Sequence, residues 1–234
     1  MKTAVIIPVY NHEKQIGDVI RRTEELQLPI FVVDDGSTDN SGVVAGSFPG
    51  ITLLSHAENR GKGAAILTGL AAAGAEKCDR AITIDGDGQH NPEDIRALLL
   101  SVENGESCMV VGSRQGMDNG ANVPWTSKFG RKFSNFWVWA AGGPLIEDSQ
   151  SGFRLYPVVE SLQLDVKARR YQFEVEILVK ARQQGIIIKE APVQVVYQPK
   201  GERVSHFRPW LDFWRNSVTF NRLIWIRLLR MLQL

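Results

Sequence analysis

Two acidic clusters follow apolar runs in this chain, and their residue types suit a charged, phosphorylated ligand. The first is Val33-Asp34-Asp35-Gly36-Ser37-Thr38-Asp39 and the second is Ile84-Asp85-Gly86-Asp87-Gly88-Gln89-His90. A single glycine separates Asp85 from Asp87, so in a turn the two carboxylates can converge on one point. Adjacent carboxylates repel, and a hard divalent cation such as Mg²⁺ or Mn²⁺, its shell completed by substrate phosphates, relieves the repulsion. A solvated Asp/Gly turn has the same spacing. The metal reading is favoured by the buried strand in front of the motif and by the second acidic strand end beside it. Cations gather later in the chain, where Lys128, Arg131 and Lys132 share a helix face at i, i+3 and i+4, and Arg154 closes the run Asp148-Ser149-Gln150-Ser151-Gly152-Phe153-Arg154.

The elements that must position these groups are legible as alternating apolar runs and helical patterns. Strand-length runs are expected at 4–9, 30–33, 51–54, 81–84 and 109–111, and helices at 13–26, 40–46, 62–76 and 92–103. The runs are β-branched and nearly continuous, as in strands buried on both faces of a parallel sheet. The alternation predicts an α/β fold with an open, mostly parallel sheet flanked by helices, and ligands of such sheets bind at the carboxyl ends of the strands. The Ala/Gly-rich stretch Lys62 to Glu76 is expected to serve close packing. Beyond Arg114 the rhythm changes to a helix at 125–141, a loop, a helix at 171–184, a strand pair or long strand at 186–197 and a polar loop at 198–206.

Composition excludes other classes. The 234 residues are 44% hydrophobic, with 27 Lys/Arg against 26 Asp/Glu and a net charge of +1, so nothing advertises disorder or a nucleic-acid partner. Cys78 and Cys108 show no zinc or disulfide spacing, which points to a reducing cytoplasm. The N-terminal apolar run reads as a first strand, not a signal peptide. A dinucleotide fingerprint is excluded: Gly61-Lys62-Gly63-Ala64-Ala65-Ile66 follows the third strand and lacks the third glycine.

Five blocks carry a specific resemblance: Ile7 to Asn11, Val33 to Ser41, Asn59 to Ala65, Thr83 to Asp94 and Asp148 to Arg154. In order and spacing they resemble glycosyltransferase family 2, and among its branches the polyprenyl-phosphate sugar synthases typified by dolichol-phosphate mannose synthase. The resemblance implies a GT-A nucleotide-diphosphosugar transferase fold and an inverting, metal-dependent hexose transfer from a nucleoside-diphosphate sugar of the UDP-glucose or GDP-mannose class. The acceptor implied is a polyprenyl phosphate or another lipid-linked group. It further implies that Pro8, Tyr10 and Glu13 contact the nucleotide, that Asp35 reads the base, that Asp85 and Asp87 hold the metal and diphosphate with Gln89 just beyond, and that Arg114 lies near the donor phosphates. Arg131 and Arg154 match basic positions of that branch and are expected to position the acceptor. Arg203 matches a loop that covers the diphosphate, and His206 is a candidate third metal ligand. Gly86 stands where Ala is common in the branch, and the block after His90 keeps only its outline.

Asp148 matches the position of a catalytic base in many family members. A hydroxyl acceptor needs such a base, whereas a phosphate arrives ionised and needs only cations, in which case Asp148 would hold Arg154 or the loop. The rival readings are transfer to a sugar or lipid hydroxyl with Asp148 as base, a nucleotidyltransferase that releases pyrophosphate, and a non-catalytic module that binds a sugar nucleotide or lipid phosphate. Glu174 and Glu176 lie two apart on one helix, so at most one is expected to face inward.

No apolar run is long enough to span a bilayer. The organisation expected is a transferase domain over 1–206 and a C-terminal amphipathic basic helix over 207–234. On a helical wheel Arg208, Arg215, Arg222, Arg227 and Arg230 fall within about 140°, opposite Trp210, Trp214, Val218, Trp225, Leu228 and Leu232, with Leu223 and Ile226 off pattern. From Lys200 onward there are seven Lys/Arg against Glu202 and Asp212. An Arg-rich face opposite Trp and Leu fits a helix lying in a membrane interface, which places the protein peripherally on the cytoplasmic face of the cell membrane; packing on the domain or a partner is the alternative.

Overall fold

A computed structural model describes residues 1–102, 105–115, 125–195 and 209–232. The elements run β1 Thr3–Val9, α1 Ile16–Glu24, β2 Ile30–Asp34, α2 Ser41–Gly46, β3 Ile51–Ser55, α3 Lys62–Ala75, β4 Arg80–Thr83, α4 Ile95–Leu100, β5 Cys108–Arg114, α5 Trp125–Ala140, β6 Arg154–Pro157, α6 Val158–Gln163, α7 Phe173–Gln183, β7 Ile187–Val193 and α8 Pro209–Leu232. The helix expected over 92–103 begins as a 3₁₀ turn, Pro92–Asp94, before α4. This follows from Pro92, which suits a first turn but donates no backbone bond.

The strands form one seven-stranded sheet in the order β3-β2-β1-β4-β6-β5-β7. All pairings are parallel except those of β6, which runs antiparallel between β4 and β5. That strand and α6 were not expected. Arg-Leu-Tyr-Pro is too short and too mixed to read as a strand, yet all four residues are buried. Two cores flank the sheet. One packs Ile16, Ile20, Ala45 and Leu98 from α1, α2 and α4, and the other packs Ile66, Val138, Leu178 and Leu223 from α3, α5, α7 and α8. The C-terminal helix therefore joins the second core.

Strand order reverses between β1 and β4: the chain moves outward from β1 to β2 and β3, then returns to β4 on the other side. The two chains stay bonded past the end of β4, with Ile84 N donating to Ile6 O at 3.0 Å and Gly86 N to Pro8 O at 3.3 Å, which sets Asp85 and Asp87 beside Pro8. Such a reversal opens a crevice that no crossover helix fills.

Candidate functional site

The crevice holds a cavity of about 610 Å³ lined by Pro8, Tyr10, Asp35, Lys62, Asp85 and Asp87, and also by Arg170, Tyr171 and Arg215. Five of the residues singled out in the sequence thus meet on one concave surface. Lys62, Arg170 and Tyr171 were not singled out, and Arg215 was read only as part of the basic face of the C-terminal helix. Lys62 stands inside a quoted block but was read with its Ala/Gly neighbours as packing, and Arg170 and Tyr171 lie outside any motif.

Asp35 organises one end. Its Oδ1 accepts from Arg60 N at 3.0 Å and from His56 Nδ1 at 2.6 Å, and its Oδ2 accepts from Gly61 N at 2.7 Å. Because a carboxylate only accepts, His56 carries a proton on Nδ1, and its Nε2 lies 3.0 Å from the Thr68 hydroxyl. Gly61 has φ +99°, a left-handed conformation that starts α3 and lets its N–H face Asp35. Glu13 does not line the cavity; its carboxylate accepts from Asn40 N and Nδ2, both at 3.0 Å, and braces the loop after β2.

At the other end Lys62 projects from the first turn of α3. Its ammonium lies 2.7 Å from Asp85 Oδ1 and 2.7 Å from Glu174 Oε1 on α7. A side chain at Gly152 would overlap that ammonium and crowd Glu174 Oε1, so the glycine lets the loop before β6 close over the pair without displacing it. Burial works against the charge on Lys62, but Asp85 and Glu174 outweigh it and hold the ammonium protonated well above the usual lysine range. Burial likewise pushes the Asp85 carboxyl up, and Lys62 and the other nearby cationic groups bring it below the usual carboxylate range. Asp87 is held differently: Gln89 donates to it through its backbone N at 2.9 Å and its side-chain amide at 2.7 Å. Gln89 thus orients Asp87 and is not on the cavity wall.

The two carboxylates face one cavity and supply hard oxygen donors. Mg²⁺ or Mn²⁺ takes such a set when phosphate oxygens and water complete the shell. The donor chemistry fits, although among the described residues no group of three or more candidate ligands surrounds the site. The suggested third ligand, His206, lies outside the described residues, as do Arg203 and the side chain of Lys128.

Asp148 and the arginines around it depart from expectation. Asp148 is 0% exposed and accepts a fork from Arg114, Nε to Oδ2 at 2.6 Å and Nη2 to Oδ1 at 2.8 Å. Arg114 therefore does not turn its fork to the donor cavity, and Asp148 holds Arg114 in place of Arg154. Arg154 is itself fully buried and donates to three carbonyls: Ser151 O at 2.6 Å, Glu174 O at 2.7 Å and Ser149 O at 2.8 Å. A guanidinium so occupied ties the loop to α7 and does not reach an acceptor. Arg131, on α5, is buried on the helix side that faces this loop, where Ser134 Oγ donates to or accepts from Ser149 Oγ at 2.8 Å.

The glutamates on α7 also correct the sequence reading, since both are buried. Glu174 meets Lys62, while Glu176 accepts from Ala168 N at 2.9 Å and from Arg222 Nη2 of α8 at 2.6 Å. The helix lies between the sheet and α8, so both of its sides are interior. On α8, Phe220 and Leu223 are buried, and Arg227 donates to Ala140 O at 2.7 Å. Leu223, off pattern on the wheel, is the docking anchor, and two of the arginines serve the same docking. The stripe Trp214, Val218, Trp225, Leu228 and Leu232 faces outward uncovered, and Phe136 and Trp139 of α5 are exposed as well. Among the described residues no helix is long and apolar enough to cross a membrane.

Comparison with known proteins agrees with this geometry. The chain is 32% identical to UDP-N-acetylglucosamine--dolichyl-phosphate N-acetylglucosaminyltransferase of Methanococcus voltae, over 82% of the chain and 85% of that protein. It is 30% identical to polyprenol monophosphomannose synthase of Mycolicibacterium smegmatis, over 82% of the chain and 76% of that protein. In fold it resembles glucosyl-3-phosphoglycerate synthase of Mycobacterium tuberculosis, solved with Mg²⁺ and uridine diphosphate, at a TM-score of 0.69 and 22% identity over 97% of this chain and 79% of that one. The family described as Glycosyl transferase family 2 matches residues 4–158, from the first strand through the reversal point to β6. With its nucleotide-sized crevice at that reversal and its paired carboxylates inside it, the chain belongs to glycosyltransferase family 2.

Proposed function

We propose that the protein transfers a sugar from a nucleoside diphosphate to the phosphate of a polyprenyl phosphate at a membrane surface, with inversion at the anomeric carbon. The observation that carries the choice of acceptor is Asp148. Fully buried and forked by Arg114, it offers no basic oxygen to a substrate hydroxyl. An acceptor phosphate needs none, because its oxygen arrives ionised. That oxygen attacks the anomeric carbon, the bond from the carbon to the diphosphate breaks, and the nucleoside diphosphate leaves with the electron pair. No proton moves in this step.

The residues of the cavity bind and orient. Pro8 and Tyr10 line the donor end, and Asp35 fixes the Asn59-to-Gly61 loop beside it. Arg170 and Arg215 add positive charge to the lining of the same cavity. A divalent cation bound by Asp85 and Asp87 would neutralise charge on the departing diphosphate. The M. voltae and M. smegmatis relatives are named for transfer to lipid phosphates, which supports the same acceptor class here.

The test is a transfer assay in which radiolabelled nucleotide sugars, chosen by thermal shift, are offered with polyprenyl phosphate or with the matching polyprenol. Label should enter the phosphate acceptor alone. Equal transfer to the alcohol, or release of free sugar with no lipid product, would overturn the proposal.

A further inference from the structure

A second cavity, of about 320 Å³, lies between α5 and α8 and is lined by Phe133, Trp137, Ser217, Phe220, Asn221 and Ile224. It belongs to neither the donor crevice nor any of the motifs. The two helices run side by side in the same direction: Trp137 stacks on Phe220 with centroids 6.4 Å apart, and three residues further along α5, Ala140 O receives Arg227. Toward their N-terminal ends both helices lead to the reaction site. Gly130 faces Gln150 of the loop that closes over Lys62, and Arg215, two residues before Ser217, lines the donor cavity. At its outer side the groove opens beside the exposed stripe of α8, with Phe136 edge-on to Trp137 at 5.3 Å.

We infer that this groove receives the proximal isoprene units of the lipid acceptor, an assignment that rests on the acceptor class proposed above. Its length agrees. At 1.5 Å per residue, Phe220 and Ile224 lie about 8 and about 14 Å along α8 from Arg215. With carbon–carbon bonds of about 1.5 Å, a four-bond isoprene repeat extends about 5 Å, so the second and third units fall beside these residues. Its volume agrees too, being roughly twice the ~150 Å³ that accommodates a benzene ring. Four of the six lining residues are aromatic or aliphatic, Ser217 and Asn221 being the polar ones, and the chain leaves the groove beside apolar side chains that are exposed on α8. Arg215 lies on the other flank of α8, so the phosphate end passes over the N-terminal part of that helix to reach the cavity.

The test uses the full chain and acceptor phosphates of one, two and three isoprene units. For the wild-type protein, KM should fall by about tenfold or more between the one-unit and three-unit acceptors. Asn221 is exposed at the groove mouth, so Asn221→Trp should fold normally and fill the groove. It should abolish the gain from chain length while leaving KM for the one-unit phosphate unchanged, whereas Asn221→Ala should keep the gain. A chain-length gain that survives in Asn221→Trp, or its absence from the wild type, overturns the assignment. A photoreactive diazirine analogue of the three-unit phosphate separates this idea from the transfer reaction. Labelling of 133–137 and 217–224 supports the groove even if no sugar is transferred, and labelling confined to other segments overturns it. A dimer that is lost in Asn221→Trp, with no labelling of the groove, would assign the groove to a second copy of the chain and overturn it equally.

Discussion

Replacing Lys62 by Met keeps the aliphatic stem and removes the cation between Asp85 and Glu174. The ammonium lies 2.7 Å from each carboxylate, and the three side chains are 19%, 23% and 7% exposed. Removing one partner of a buried ion pair costs about 3–5 kcal/mol, because the remaining charge keeps its desolvation penalty without compensation. Here two carboxylates are stranded, but Asp85 opens on the cavity and water can reach it, which places the loss near the lower figure of about 3 kcal/mol. For a chain of this length that corresponds to a fall in Tm of about 6–12 °C.

The pH dependence gives the prediction its sign. In the wild type, Asp85 titrates below its unfolded value of about 3.9, so its contribution is present above that value and lost as the pH falls through the folded one. In Lys62→Met, the cation that lowers the Asp85 carboxyl is gone and burial raises its proton affinity, so the variant gains stability relative to the wild type as the pH falls. Melting curves should therefore show the largest gap near pH 7 and a smaller one near pH 4.5, both approximate values set by the carboxylate range. Adding Glu174→Gln to Lys62→Met should restore part of the loss by removing one stranded charge. A variant as stable as the wild type at neutral pH, or a gap that ignores pH, would refute the view that Lys62 neutralises the site.

Other outcomes follow from the same structure. Asp148→Asn should reduce kcat far less than the roughly two to four decades expected of a missing general base, while denaturant melts register the loss of the Arg114 fork; a loss of several decades with acceptor KM unchanged would restore the hydroxyl reading. Burial pushes the His90 pKa down to about 4, so acid destabilises the fold as unfolded His90 takes up a proton below about pH 6.5; the contribution, up to about 3 kcal/mol by pH 4, should vanish in His90→Gln on urea titration across that range. Asp87→Asn should abolish transfer in a protein that still melts cooperatively, and unaltered turnover of the wild type in excess EDTA would remove the cation from the reaction. On α8, Leu223→Ala should cost about 3 kcal/mol, whereas Trp225→Ala should change stability by less than about 0.5 kcal/mol yet weaken co-sedimentation with anionic liposomes; equal liposome binding by both proteins would leave the exposed stripe without a membrane role.

The strand–helix alternation was legible because each buried strand is a local apolar run, and the acidic pair was legible because strand ends in such sheets carry ligands. What local patterning cannot show is where a charged side chain goes once the chain closes. Lys62 sits in an Ala/Gly-rich helix, and its role depends on Glu174, distant in sequence, and on the missing side chain of Gly152. Arg154 was expected to position an acceptor, but it is buried, and three carbonyls make its burial tolerable. The wheel drawn for α8 divided it into a basic and an apolar side and left a membrane interface or packing on the domain as alternatives. The helix instead has a third direction, toward the core, which claims Leu223 and Arg222 and leaves the Trp stripe outside.

This three-way division of α8 couples the reaction site to the membrane under the proposed function. One side is fixed to α7 and α5 by Glu176–Arg222 and by Arg227, so the helix turns with the domain as a rigid part of it. A second side brings Arg215 to the donor cavity. The third carries Trp214, Val218, Trp225, Leu228 and Leu232, which at 1.5 Å per residue extend about 27 Å along the helix, a long enough line to orient the domain on a flat surface. On the wheel, at about 100° per residue, Arg215 lies roughly a quarter turn from that stripe. A helix with side chains is about 10 Å across, and an interfacial helix buries its apolar face about 5–10 Å into the headgroup boundary. Seated in that way, α8 holds the donor cavity beside the headgroups, at the level where a lipid phosphate resides. The acceptor can then present its ionised oxygen to the sugar while its isoprene chain stays in apolar surroundings, first in the groove beside α5 and then in the bilayer.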